Sequence, residues 1–464
     1  MAAASPKTAL VVGGGFAGLA AAQVLTEQGL EVLLVEQGRG LGGRMCTRTA
    51  TVPGTGERLT FDHGCQYLTA RSPQWDAALE RLRAAGAVAA WETGGRVGTA
   101  ALTADDALDL ASFSADKGKE LLVGCPTNSA VGRALATAAG PRLTTLTGTR
   151  VSGLAWDGSA WRARAGRPPV LSLRVTPGRA GSAGGAGDEA AGSTAGSPAS
   201  SVDEKERERE EVLAGLESRT FDLVITAMSS VSTAKLLGGG NGNGGGNGGG
   251  NGGGNGSVPL AADVAAAASA VRANVCWAVL VALKRKLDLP FDGALLSRPD
   301  PSGGPLPQYG AIAWLGRDST KPGRPRVAGG AGEAWVLHGG PGWSNDRAAA
   351  APEAVARELL GELAKLAQTE LLPERDVLHI EAHRWNNAYP LNPRPPVPPP
   401  PGSRAAELGP GVLGLGPGGP GLGGFYMLRA DMALAACGDW AKGPRAGDAY
   451  VSGWEAAHAL LASV

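Results

Sequence analysis

What this sequence lacks narrows its function first. It has no net charge, because 43 lysines and arginines balance 43 aspartates and glutamates. A polyanion-binding surface needs an excess of basic residues, so no nucleic acid partner is expected. The five cysteines (Cys46, Cys65, Cys125, Cys276, Cys437) are scattered and form no CxxC pair. That excludes a disulfide framework and a thiolate zinc site, and fits free thiols in a reducing compartment. The five histidines form no ligand cluster along the chain, so no metal is expected. No run of about eighteen apolar residues occurs, so no integral membrane segment is expected. Only "MAAASPK" precedes the first apolar strand pattern, which leaves no room for a signal or transit peptide. The expectation is a soluble intracellular protein, cytoplasmic by default. An organelle such as the chloroplast is the alternative if the chain begins further upstream.

What is present is unevenly spread. The 73 glycines concentrate in low-complexity stretches, above all "GGGNGNGGGNGGGNGGGNGS" at 238–257. Such segments cannot bury apolar area, so 177–217 and 238–257 read as disordered inserts. "NPRPPVPPPPGS" at 392–403 reads as a Pro-rich linker that favours polyproline II. The remaining length suffices for two domains.

The most informative stretch is "TALVVGGGFAGLAAAQVLTEQGLEVLLVEQ". A short apolar run suits a buried parallel strand, and a helical pattern and a second apolar run follow it. Gly13, Gly15 and Gly18 stand in GxGxxG spacing at the first strand-to-helix turn. Gly13 permits the tight turn, Gly15 lets a pyrophosphate approach the backbone, and Gly18 lets the helix pack close to the sheet. The helix start at Phe16 and Ala17 presents free N–H groups and a partial positive charge to phosphates. Glu36 closes the second strand, where its carboxylate can accept both hydroxyls of an adenosine ribose. The same carboxylate repels a 2′-phosphate, so FAD and NAD remain as ligands and NADP is disfavoured in this site.

A second glycine loop, "GLGGRM" at 40–45, follows the acid. "FDHGCQYLTARSPQW" (61–75), "FDLVITAM" (221–228), "LPFDGALL" (289–296), "AIAWLGRDSTKPGR" (311–324), "EAWVLHGGPGWS" (333–344) and "HRWNNAYP" (383–390) come next, and "CGDWAKGPRAGDAYVSGWEAAHALL" (437–461) closes the chain. Together these blocks resemble the renalase-like branch of the amine oxidase flavoprotein superfamily from end to end. The resemblance implies FAD as cofactor. Gly42, Gly43 and Arg44 would then extend the phosphate cradle, the arginine by a charge-assisted contact. It also implies FAD contacts from Gln66 and Tyr67, an adenine contact from the strand of Val151, and a ribityl–pyrophosphate contact from Asp439. Ser452 and Gly453 would lie near the start of a second helix aimed at the flavin end.

The expected fold is α/β. A discontinuous Rossmann-like FAD-binding domain would collect 1–72, 127–235 and 425–464. A mixed-sheet α+β substrate domain would take 73–126 and 258–424, with an amphipathic helix carrying Val355, Leu359, Leu360, Leu363 and Leu366 on one face. The glycine strings at 409–421 formally fit GxGxxG but lack a strand before and a helix after, so no second Rossmann unit is expected.

No Ser/His/Asp or Cys/His arrangement is apparent. The difficult chemistry would fall to the cofactor, and no catalytic side chain is assigned. Tyr67, Arg384 and Trp385 are the pocket candidates. The resemblance implies an oxidase that takes a hydride from a dihydronicotinamide isomer of NAD(P)H and reduces O2 to H2O2. An amine or polyamine oxidase is the alternative, although Lys284 and Lys286 read as solvent-facing. A non-catalytic flavin-binding or interaction protein is a further alternative. Two departures from the family pattern stand out: Met228-Ser229 in place of Met-Pro, and Asn386-Asn387 in the late strand.

Overall fold

The computed structural model describes residues 7–103, 105–116, 118–166, 215–239, 260–298, 308–393 and 424–464. The inserts expected at 177–217 and 238–257, the Pro-rich 392–403 and the glycine strings at 409–421 fall almost wholly outside them.

Strand β1 (Thr8–Val12) lies at the centre of a six-stranded sheet. One parallel neighbour is β2 (Glu31–Val35), which pairs in turn with β3 (Leu143–Leu146). The other is β4 (Leu223–Thr226), which pairs with β5 (Leu434–Ala436). A short antiparallel strand, Met427–Arg429, completes the edge. The inner strands β1, β2, β4 and β5 are buried at nearly every position because both faces are covered. Ala9, Val11, Leu34 and Ile225 pack on one side against α1 (Phe16–Glu27) and α2 (Ala446–Ser463). Leu10, Val12, Leu33 and Val224 pack on the other with Val151, Trp161 and Leu237. The chain runs to one side of β1 and later returns to the other. That places a crevice at the carboxyl ends of the strands, where doubly wound sheets bind ligands.

A seven-stranded mixed sheet carries the middle of the chain. Its core is β6 (Ala273–Leu283), flanked antiparallel by β7 (Glu333–Gly339) and the long edge strand β8 (Val377–Pro390). The sheet continues through Ile312–Arg317, Gly293–Ser297, Val97–Leu102 and Leu108–Ala115. Alternation along β6 sends Trp277, Val279, Val281 and Leu283 towards the helix Pro352–Leu366. That helix buries Val355, Leu359, Leu360, Leu363 and Leu366, the face its periodicity indicated. Leu280 and Ala282 face the opposite way, onto the hairpin Arg48–Thr51 and Arg58–Phe61.

Two segments expected in the substrate domain pack with the first sheet instead. Helix Pro73–Ala84 places Trp75 between Phe16 and Tyr450, at ring separations of 5.7 and 5.3 Å. Helix Ala262–Ser269 buries Val264, Ala265 and Ala268 beneath the other face. Amphipathic helices carry a face to bury but no label for the sheet that covers it.

Candidate functional site

The crevice is built from backbone. The turn after β1 reaches Gly13, whose N–H donates to the Val35 carbonyl at 2.8 Å and whose φ is +112°. The three motif glycines serve different ends. A Cβ on Gly13 would overlap the Ala227 carbonyl, and one on Gly18 would overlap the Gly13 carbonyl. A Cβ on Gly15 would meet nothing within 4 Å. Packing therefore requires two of the glycines, while the third looks onto open space. Gly15 is also the N-cap of α1 and offers no side chain to its first N–H groups. Those N–H groups have no intrahelical acceptor and are left for a ligand.

The second loop is the other half of the same cradle. Gly42 donates to the Gly14 carbonyl at 2.8 Å, and Gly43, with φ +58°, would bring a Cβ to 3.3 Å from the Gly15 Cα. Glu36 accepts from the Gly14 and Gly38 N–H groups, both at 2.6 Å, and its carboxylate stays partly exposed. These residues fit a dinucleotide: a side-chain-free surface where two glycine loops meet, an open helix start, and an acid just past the second strand. Val151 is buried on a strand two residues beyond Thr149, whose N–H donates to the Glu36 carbonyl at 2.9 Å.

Arg44 departs from the simplest expectation. Its Nη1 donates to Asp439 Oδ2 at 2.7 Å and to the Ala388 carbonyl at 2.8 Å. Burial pulls the guanidinium pKa down, but Asp439 more than offsets it and holds it above the ordinary value. Two expected cofactor residues are thus partners of each other. The arginine is still 35% exposed, with N–H groups to spare.

The Ala388 carbonyl is available to Arg44 because β8 bulges across Asn386–Ala388, the stretch that holds the Asn-Asn departure. Asn274 pairs with Tyr389 and Cys276 with Trp385, so three β8 residues oppose Val275 alone. This is a bulge, which frees ladder carbonyls and turns the strand. The Val275 N–H is taken by Asn345 Oδ1 at 3.1 Å. The other departure is also accommodated. Ser229 caps the helix Ser230–Leu237, its hydroxyl accepting from the Ser232 N–H at 3.3 Å.

Beyond Arg44 lies the loop His63–Tyr67. Cys65 N–H donates to the Arg44 carbonyl at 3.0 Å, and Trp385 Nε1 to the His63 carbonyl at 3.0 Å. Trp385 stacks on His63 with centroids 4.9 Å apart, and His383 meets the two edge-on at 4.6 and 4.9 Å. His338 Nε2 lies 3.1 Å from the His63 carbonyl. Burial pushes the imidazoles down, to about 3 for His63 and about 4 for His338 and His383, so this wall is uncharged at neutral pH. Arg48 flanks it, paired with Glu381 and 3.2 Å from His383 Nδ1. Three histidines far apart in sequence thus meet here. They come from a loop, from β7 and from β8, so the one signal in the sequence was the position of His63 within the HGCQY block. Among the described residues, no group of three or more His, Cys, Asp or Glu is arranged to hold a metal.

Of the other expected site residues, Gln66 is buried beneath the loop. Tyr67 packs on Trp314 at 5.7 Å, and burial raises its phenol pKa. Arg384 does not join Trp385. Neighbouring strand residues point to opposite faces, and Arg384 lies over Trp277 at 5.8 Å and donates to the Ala348 carbonyl. Ser452 is not at the start of its helix. Its hydroxyl is spent internally, donating to the Phe425 carbonyl at 2.5 Å and accepting from the Gly438 N–H at 3.0 Å. It shapes the turn before Asp439 and has no hydroxyl proton left for a ligand. Lys284 and Lys286 are exposed, as their sequence context indicated.

Comparison with known proteins bears on this geometry. Residues 11–82 match the NAD(P)-binding Rossmann-like domain family. The chain is similar to (S)-6-hydroxynicotine oxidase of Paenarthrobacter nicotinovorans, 47% identical over 75 residues, which is 16% of this chain and 17% of that one. The match therefore spans about a sixth of the curated relative. Over the whole length, the fold is similar to a putative protoporphyrinogen oxidase from Exiguobacterium sp. 255-15 (TM-score 0.56, 12% identity, covering 98% and 99% of the two chains). It is also similar to cyclohexylamine oxidase from Brevibacterium oxydans (TM-score 0.53, 13% identity, 98% and 99%). At such identities the likeness shows the fold.

Proposed function

We propose that this chain is an FAD-dependent oxidoreductase of amine oxidase type. The observation that carries the reading is the pair of facing glycines, Gly15 and Gly43, in loops joined by the Gly42–Gly14 hydrogen bond. A single glycine turn would serve any dinucleotide. The second loop, continued by Arg44 and its partner Asp439, extends the glycine surface beyond the first turn, which is what a cofactor with a flavin half calls for. Bound there, the flavin would accept a hydride at N5 and pass two electrons to O2. In this reading the α1 N-terminus, Gly15 and Gly43 hold the pyrophosphate. Glu36 accepts the ribose hydroxyls, and Arg44 with Asp439 fixes the middle of the cofactor. The His63–Tyr67 loop and the Trp385 wall orient the donor and exclude water.

The donor we favour is a dihydronicotinamide isomer of NAD(P)H. The balance is donor plus O2 plus one proton, giving NAD(P)⁺ and H2O2. The supporting observation is the flat, uncharged wall of Trp385 stacked on His63, which suits a planar neutral ring. An amine or polyamine donor is the second reading, favoured by the likeness to (S)-6-hydroxynicotine oxidase and cyclohexylamine oxidase. Anaerobic mixing separates the two. Bleaching of bound flavin by 2- or 6-dihydronicotinamide nucleotides but not by amines supports the first. Bleaching by amines alone overturns it in favour of the second. If neither reduces the flavin, the oxidase reading fails. Purified protein that takes up no FAD would remove the cofactor assignment itself.

A further inference from the structure

Behind the His63–Tyr67 loop sits a charge quartet that the proposed function leaves unused. Asp62, Asp318 and Lys321 are wholly buried, and the Arg324 side chain is 1% exposed. Lys321 Nζ lies 2.7 Å from Asp318 Oδ1 and 3.6 Å from Asp62 Oδ2, above the Trp91 ring. Arg324 pairs with Asp62 and donates to the Gly124 carbonyl at 3.0 Å. Two positive and two negative groups leave the cluster neutral. Burial raises the Asp318 pKa. For Asp62 burial pulls the same way, but Lys321 and Arg324 prevail and lower it.

Desolvating four charges is costly, and apolar side chains of similar volume would stabilise a core as well or better. The position of Lys321 suggests what the cluster gains. Its Nζ also lies 3.3 Å from Gln66 Oε1. The Gln66 Nε2 then faces the other way and donates to the Asp62 carbonyl at 2.5 Å and the Gly64 carbonyl at 3.1 Å. The two ends of a glutamine amide have nearly the same shape, so shape alone does not choose between its orientations. An ammonium at one end and two carbonyls at the other do choose. The same network reaches the loop backbone, since Asn128 donates to the Cys65 carbonyl at 2.7 Å and its own N–H lies 3.2 Å from Asp62 Oδ1.

We propose that Lys321 is a positioning residue for the cofactor pocket: it fixes the Gln66 amide, and through it the Asp62–Gln66 loop, in one orientation. The proposal rests on the FAD reading given above. It assigns a role to a lysine on the segment that follows Ile312–Arg317, not to Lys284 or Lys286.

Lys321→Met alone would leave the Asp318 carboxylate with only Arg324 Nε, at 3.7 Å, and the quartet with a net negative charge, so the informative protein is the full-length double variant Lys321→Met/Asp318→Asn. It removes one charge of each sign and leaves the Asp62–Arg324 pair. The expected result is a thermal midpoint near that of the parent, FAD dissociation about tenfold faster or more, as for a lost charged hydrogen bond, and shifted flavin absorption bands. In a Gln66→Leu background the same double change should add a factor near one, because the residue it acts through is gone. Parent-like FAD dissociation and spectrum in the double variant would show a purely structural quartet and overturn the proposal. So would effects that multiply with those of Gln66→Leu. If the parent itself takes up no FAD, the cofactor reading fails, and amide hydrogen exchange of the apoprotein decides the positioning role. Faster exchange at Gly64–Gln66 in the double variant supports it, and unchanged exchange overturns it.

Discussion

Arg44 and Asp439 meet at 2.7 Å across 395 residues of sequence, and the pair joins the second glycine loop to the last strand-to-helix turn of the first sheet. Removing Arg44 leaves a buried carboxylate without its cation and releases the bulge carbonyl of Ala388. Arg44→Ala should weaken FAD binding by about 1.5–3 kcal/mol, the range for a hydrogen bond to a charged group. Titration of apoprotein with FAD measures this. A coupling energy above about 0.5 kcal/mol in a cycle with Asp439→Asn identifies the pair as one unit. Unchanged affinity in Arg44→Ala refutes its role.

The three glycines should fail in different ways. Gly15→Val places atoms where the structure leaves space, so the protein should fold and lose FAD. Gly18→Ala drives a methyl into the Gly13 carbonyl, where backbone must move, so it should lower stability itself. Thermal melts and flavin content of the two variants distinguish these outcomes. A folded, flavin-loaded Gly15→Val would contradict the cradle.

Acid should destabilise the protein from about pH 6.5 downward. His63, His338 and His383 titrate in the fold at about 3 to 4, below the ordinary 6.5 of an unfolded chain. A depressed folded pKa means stability that is complete above the unfolded value and is lost as pH falls towards the folded one. Each histidine contributes a slope of at most about 1.4 kcal/mol per pH unit in that window. Urea midpoints at pH 7.5, 6 and 5 should fall in that order. The fall should be smaller in His63→Asn.

Trp385 and Arg384 provide a paired test of the β8 faces. Trp385→Ala removes the stacked wall and should raise KM for the donor while FAD stays bound. Arg384→Ala alters the opposite face and should leave both KM and flavin content near the parent values. A KM effect from Arg384→Ala would place the pocket on the wrong side of the strand.

Leu359, wholly buried in the helix over the second sheet, reports on that core alone. Leu359→Ala should cost about 2–5 kcal/mol of stability, as for other leucines cut to alanine in a core. Flavin absorbance of the folded fraction should be unchanged.

Much of the candidate cradle's backbone was legible in sequence because its signals are local. A GxGxxG turn between an apolar strand and a helix, with an acid ending the next strand, specifies Gly13, Gly15, Gly18 and Glu36 within thirty residues. The helix carrying Leu359 and Leu363 was legible for the same reason, since a 3.6-residue period lies within one segment. The substrate side was not. His63, His338 and His383 come from three elements, and nothing in their spacing indicates that they share a wall. Arg384 and Trp385 are adjacent letters, and the pleat sends them to opposite faces. Ser452 resembled a helix-start ligand until the turn it ties was visible. The helices Pro73–Ala84 and Ala262–Ser269 declared an apolar face without naming the sheet that covers it.

The sequence by itself determined the glycine turn of the candidate cradle, because a backbone turn without side chains depends on glycines at fixed intervals and needs little from the rest of the chain. Only the tertiary structure decided what Arg44 and Lys321 do. The role of a charged side chain depends on which opposite charge is buried beside it. Asp439 reaches Arg44 because strands far apart in sequence pair in the first sheet, and Asp62 reaches Lys321 because the Arg48–Phe61 hairpin packs on the second.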